Sequence, residues 1–153
     1  MFVGDQGDPV FLNRVLDEIG PLDVIIDDGS HRVEHQRASL LVLFPGLRPG
    51  GLYVLEDLFT AFFAPFGGEP TGLAETSSVR VVHELTFAML GRGAPGDLIA
   101  HGLYGRVESV DCFFDACVFI KGPMAGSGLW KGPTQMAWMR AVQPWERTRE
   151  FWK

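Results

Sequence analysis

Near the start of the chain apolar residues recur at helical spacing, with Phe11, Leu12, Val15, Leu16 and Ile19 on one face. Asp8 precedes them as an N-cap, Pro9 suits the first helical position, and Gly20-Pro21 ends the helix. The pattern then changes. Leu22 to Asp28 reads as a strand whose middle, Val24-Ile25-Ile26, is a β-branched run without alternation, as expected of a parallel strand covered on both faces. Gly29-Ser30 turns the chain, and Ser30 is placed to cap a helix starting near His31. That helix carries Ala38, Leu40, Leu41, Leu43 and Phe44 and stops before Pro45-Gly46. Arg48-Pro49-Gly50-Gly51 reads as a tight turn, and Leu52-Tyr53-Val54-Leu55 as a short buried strand ending in Glu56-Asp57.

Helix, strand, helix, strand in this order predicts an α/β domain with a parallel sheet. Residues 58–78 form a loop rich in Phe, Gly and Pro; Phe59, Phe62, Phe63 and Phe66 give it the composition of a lid or substrate wall. Val79 to Leu90 is expected to be a helix with Val82, Leu85, Thr86 and Met89 on one face. Gly91 to Gly105 is a connection. Val107 to Cys112 and Ala116 to Lys121 are expected to be strands joined around Phe114-Asp115, a turn so short that the pair must be antiparallel. A tail, residues 123–153, holds all four tryptophans, Trp130, Trp138, Trp145 and Trp152. It reads as a docking arm or a partly disordered segment.

The 153 residues correspond to about one domain. The net charge of −6 argues against a nucleic-acid partner, because phosphate recognition needs clustered cations. No uninterrupted apolar stretch is long enough for a membrane helix, and no partner membrane is expected. Met1-Phe2-Val3-Gly4-Asp5 has neither a basic nor an apolar leader region, so a cytoplasmic protein is expected. Cys112 and Cys117 are read accordingly as two buried, reduced thiols without a redox spacing.

Ligands of open α/β sheets lie beyond the carboxyl ends of the strands. Three groups fall at such positions: Gly4-Asp5-Gln6, read as the remnant of a strand end, then Asp27-Asp28-Gly29-Ser30-His31, then Glu56-Asp57. If the two complete strands are neighbours, Asp28, Glu56 and Asp57 converge. Carboxylates with no thiolate nearby suit Mg²⁺, Mn²⁺ or Ca²⁺ rather than zinc. His31 beside them is a candidate general base. His31-Arg32-Val33-Glu34-His35 also fits the inverted zinc-peptidase pattern H-x-x-E-H, which would leave the three acids without a role. His83 and His101 have no partner in the pattern.

Asp27-Asp28-Gly29-Ser30-His31, followed by Arg48 to Asp57, resembles the class I S-adenosylmethionine-dependent methyltransferases. Within them it is most similar to the metal-dependent macrolide-sugar, or mycinamicin-type, O-methyltransferases. Gly4-Asp5-Gln6 and the aromatic segment Phe59 to Gly68 match as well, and the resemblance covers about residues 3–122. It implies a Rossmann-like class I sheet with a C-terminal antiparallel hairpin, and an Mg²⁺ (or Mn²⁺) ion held by Asp28, Glu56 and Asp57. It implies His31 as the base, and an S-adenosylmethionine site touched by Asp5, Gln6 and Asp27. The family's glycine-rich loop and ribose-binding acid should precede residue 3. The chain is therefore expected to be the third-strand-onward part of a methyltransferase domain, residues 1–122, followed by the Trp-rich tail.

The resemblance implies methyl transfer to a hydroxyl of a small natural product such as a macrolide sugar. Two other readings compete with it. One is a truncated, non-catalytic methyltransferase-like partner. The other is a metal-dependent oxygenase or hydroxylase using the same acids and His31. The expected partners are a small hydroxyl acceptor and either a second copy or a chain that supplies the missing strands. Val24, Ile25 and Ile26 would otherwise form an uncovered apolar edge.

Overall fold

The computed structural model describes residues 1–89, 103 and 105–123. The 91–102 connection with His101, and the Trp-rich segment from residue 124 onward, lie outside the described residues.

Helix α1 spans Pro9–Ile19, and the Asp8 side chain accepts a hydrogen bond from the Val10 amide at 2.9 Å, as its N-cap position demands. Leu12 is the buried residue of this helix, while Ile19 at the end of the expected face is exposed. Strand β1 is Leu22–Asp27, helix α2 Val33–Leu43, strand β2 Leu47–Leu55, helix α3 Ser78–Met89, strand β3 Val107–Cys112 and strand β4 Cys117–Lys121. The strands form one sheet in the order β1-β2-β4-β3. β1 and β2 run parallel; β4 is antiparallel to both β2 and β3. This is the α/β fold with a C-terminal hairpin that the residue pattern predicts.

The core lies on one face of the sheet. Ile25, Tyr53, Leu55 and Phe119 point there and meet Leu40 and Phe44 around α2 and Val81 and Leu85 of α3. Tyr53 and Phe119 are cross-strand partners, and their rings meet edge to face at 6.3 Å.

Several local expectations are corrected. β1 is not covered on both faces: Ile25 and Asp27 are buried, but Val24 and Ile26 are 52% and 65% exposed. β1 is the edge of the sheet, and the face opposite α2 and α3 is open there among the described residues. Arg48-Pro49-Gly50-Gly51 is not a turn before β2 but a bulge within it. Leu22 pairs with Leu47 while Val24 pairs with Leu52, so β2 carries extra residues there, with Gly50 at φ 81°. α2 begins at Val33 rather than near His31, because His31 adopts a left-handed backbone, φ 58°, that no helix start accommodates. Gly4-Asp5-Gln6 forms no strand; Asp5 starts a turn closed by the Asp8 amide on the Asp5 carbonyl. The 58–78 loop contains two short 3₁₀ segments, Leu58–Phe62 and Ala64–Phe66. On α3 the inner face is Ser78, Val81 and Leu85, and Thr86 is exposed, its hydroxyl turned back to the Val82 carbonyl.

The cysteines are not free thiols. Antiparallel pairing sets Cys112 opposite Cys117 with Cα atoms 4.1 Å apart, and the two sulfurs are bonded. The bond closes the hairpin turn that carries the exposed Phe113 and Phe114. The loop is so short that its chain-entropy contribution is about 2 kcal/mol. Replacing both cysteines by serine is expected to lower the urea-unfolding free energy by about that amount. Alkylation of the native protein should label neither cysteine before reduction and both after it.

Candidate metal and acceptor site

Asp27 organises the carboxyl end of β1. It is buried, and its carboxylate accepts hydrogen bonds from the Tyr53 hydroxyl at 2.7 Å, from the Ser39 hydroxyl and from the Gln6 side-chain amide. One buried acid thus ties together β1, β2, α2 and the N-terminal loop. A buried carboxylate is tolerated only with such donors around it. The other end of the Gln6 amide accepts from the Ser30 backbone N–H at 2.8 Å. A Cβ on Gly29 would strike the Gln6 side chain, so glycine is required for this approach. The Ser30 hydroxyl is joined to His35 Nδ1 at 2.9 Å, and a carboxylate oxygen of Asp5 lies 4.0 Å from the same nitrogen.

These contacts hold the 28–31 loop against the end of β2. There the structure brings together Asp28, His31 and Asp57, whose ligand atoms all lie within 4.8 Å of one another. His31 Nδ1 is 3.2 Å from an Asp57 carboxylate oxygen without hydrogen-bond alignment; the nitrogen is buried and otherwise unpartnered. His31 and Asp57 are also the two non-glycine residues with positive φ among the described residues, at 58° and 53°. Left-handed backbone at a histidine and an aspartate is locally unfavourable, and its coincidence at one cluster is characteristic of functional sites.

Glu56 adjoins the cluster in sequence but is not one of the grouped side chains. Its backbone N–H donates to the Asp27 carbonyl, and its carbonyl accepts from the Gln36 side chain at 2.8 Å. Gln36 is itself buried and accepts from the Ser78 hydroxyl, which links the end of β2 to α3. Asp5 remains exposed, with one oxygen accepting from the Gly7 N–H. His31 and His35 do not share a helix face, because His31 precedes α2 and turns to Asp57 while His35 turns to Ser30. The H-x-x-E-H pattern therefore forms no zinc pair here. His83 is exposed and its ring lies tilted against that of Phe87, centroids 4.6 Å apart.

Beyond Asp57 the chain presents Phe59, Phe62 and Phe63, each about half exposed, with Phe59 and Phe63 packed edge to face at 5.9 Å. The Leu58 amide donates to the Asp115 carbonyl at 2.7 Å, which draws the disulfide-closed turn up beside this aromatic segment. The residue pattern missed Ser39, Tyr53 and Gln36. A tyrosine within an aliphatic strand was the available signal, since a buried hydroxyl needs a partner.

The two carboxylates suit a divalent cation that takes oxygen ligands, Mg²⁺ or Mn²⁺, with the orphaned His31 nitrogen beside the same site. Burial and the negative charge of Asp27 push the Tyr53 hydroxyl well above its ordinary pKa. Its proton is thus bound more tightly in the folded chain than in the unfolded one. Stability from this group is complete below the unfolded value near pH 10 and declines as pH rises beyond it. Tyr53→Phe is expected to lower the unfolding free energy by about 1–3 kcal/mol at neutral pH, because Asp27 loses a donor while staying buried. The same variant should lose less stability than the wild type as the pH is raised above 10. An unchanged urea midpoint at neutral pH would contradict the role given to Asp27.

No family model matches the chain. It is 46% identical over 96 residues to demethylmacrocin O-methyltransferase of Streptomyces fradiae, a match covering 62% of this chain and 24% of that protein. It is 54% identical over 66 residues to mycinamicin VI 2''-O-methyltransferase of Micromonospora griseorubida, covering 43% of this chain and 16% of that protein. Among solved structures, MycE methyltransferase from the mycinamycin biosynthetic pathway in complex with Mg and SAH superposes with a TM-score of 0.71. The identity is 33%, and 85% of this chain and 33% of that chain are covered. The same enzyme with Mg, SAH and mycinamycin VI gives 0.69 and 35% over the same shares. The chain spans about a quarter or less of the length of these curated relatives. It is thus a homologue of part of the macrolide-sugar O-methyltransferases.

Proposed function

We propose that this chain carries the metal and acceptor side of an S-adenosylmethionine-dependent sugar O-methyltransferase. The observation that carries the reading is the cluster of Asp28, His31 and Asp57 at the carboxyl end of the parallel strands, two of its members in left-handed backbone. The similarity to MycE bound to Mg and SAH supports it.

In this reading Asp28 and Asp57 hold the divalent cation, with Glu56 as the third carboxylate. When bound, the cation and S-adenosylmethionine supply an acidified acceptor hydroxyl and an electrophilic methyl carbon. His31 takes the hydroxyl proton on its imidazole, whose Nδ1 lies 3.2 Å from an Asp57 carboxylate oxygen. The deprotonated oxygen would then be ready to accept the methyl group that S-adenosylmethionine supplies when bound. Asp5, Gln6 and Asp27 stand on the cofactor side; Gln6 and Asp27 act there through the loop they hold in place. Phe59, Phe62 and Phe63 cover the acceptor and exclude water. The acceptor class is a small natural product of the kind named for the relatives, demethylmacrocin and mycinamicin VI.

Metal affinity and turnover separate the roles. Asp57→Asn is expected to weaken Mn²⁺ binding by at least tenfold, measured by electron paramagnetic resonance on the full chain. His31→Gln should leave that affinity within about threefold. In a protein that transfers methyl groups it should lower turnover by about 10²–10⁴-fold. Equal loss of Mn²⁺ affinity in both variants would make His31 a ligand rather than the base.

A further inference from the structure

The amino end of the sheet, opposite the Asp28–His31–Asp57 cluster, holds a cleft of about 520 Å³. Its apolar surface comes from Leu16 on α1, from Pro45, and from Leu47 and Pro49 at the start of β2. Its charged groups are Arg48, Arg106, Lys121 and Asp17. Arg48 is paired with Asp23 at 2.6 Å, which leaves Arg106 and Lys121 facing Asp17, a net positive lining.

Lys121 is the unusual member. It is 5% exposed, and no carboxylate pairs with it among the described residues. Its ammonium donates to the Pro45 carbonyl at 2.6 Å and to the Leu47 carbonyl, so two of its three N–H donors are used. Arg106 has no side-chain hydrogen bond or ion pair among the described residues. Burial, and then the positive charge of Arg106, hold the Lys121 pKa below the usual lysine range. Two cations that disfavour each other beside an apolar cavity, with donors left over, form a lining that an anion would relieve. The volume falls within the range of small-ligand pockets, and the cleft opens to solvent along one side.

We propose that this cleft binds a small anionic amphiphile, a molecule with a phosphate or carboxylate head and an apolar body. The head sits between Arg106 and the remaining Lys121 donor, and the body lies along Leu16, Pro45 and Leu47. The site is separate from the proposed transferase site and does not depend on that reading.

The test uses the full chain and three probes, octyl phosphate, 1-octanol and inorganic phosphate, titrated calorimetrically at low ionic strength. Octyl phosphate is expected to bind at least tenfold more tightly than either of the others. Arg106→Glu should weaken octyl phosphate binding by at least tenfold, while Arg106→Lys stays within about threefold of the wild type. Thermal melts of both variants verify that they are folded, since Arg106 lies half-buried in the turn that precedes β3. Octanol binding as tight as octyl phosphate would remove the charged head from the proposal. Phosphate binding as tight would remove the apolar body. Octyl phosphate binding unaffected by Arg106→Glu would place the ligand elsewhere and overturn the site.

Discussion

The carboxylate of Asp27 is the constraint on which the functional end of this chain depends. It is buried at the last residue of β1 and survives there because Tyr53, Ser39 and Gln6 all donate to it. Each donor belongs to a different segment, so satisfying one charge fixes four pieces of backbone relative to one another. Gln6 then passes the constraint onward through the Ser30 amide to the loop carrying Asp28 and His31. The polar network is therefore buried scaffolding for an exposed acidic edge. Its removal would affect position before it affected charge at that edge.

A second support comes from the other side. Gln36 binds the Glu56 carbonyl and Ser78, and the Leu58 amide reaches Asp115 on the hairpin turn. Asp57 is thus held between Glu56, bonded to Gln36 of α2, and Leu58, bonded to the hairpin turn, and its own side chain faces His31. The turn that receives the Leu58 bond is itself closed by a disulfide that the surrounding sequence does not announce.

Much of the architecture was legible because it follows from periodicity and from special residues. Asp8 and Pro9 mark the start of α1, and the short Phe113–Ala116 turn leaves antiparallel pairing as the only option for its strands. Asp28 and Asp57 come together because consecutive parallel strands end side by side. What was not legible depends on the third dimension. The run Val24-Ile25-Ile26 cannot report whether a second layer covers it, and in the described residues none does. The Arg48–Gly51 segment reads as a turn because proline and glycine are common to turns and bulges; only pairing with β1 distinguishes them. The cysteines appear unrelated at a spacing of five, and cross-strand register is what sets them opposite each other. His31 was expected within a helix, and its interaction with Asp57 depends on its being outside one.

The left-handed backbones of His31 and Asp57 set local stability against chemistry. A glycine at either position would take up the same φ without a Cβ clash, relieving about 1 kcal/mol of strain while adding unfolded-state entropy. Asparagine at position 57 would tolerate the same conformation and carry no charge. Local backbone preference therefore ranks glycine above an imidazole at 31 and above a carboxylate at 57. In a lineage released from selection on the chemistry, these two positions would be among the earliest to drift. A sibling sequence that keeps both, with the same loop lengths around them, records continued use of the site.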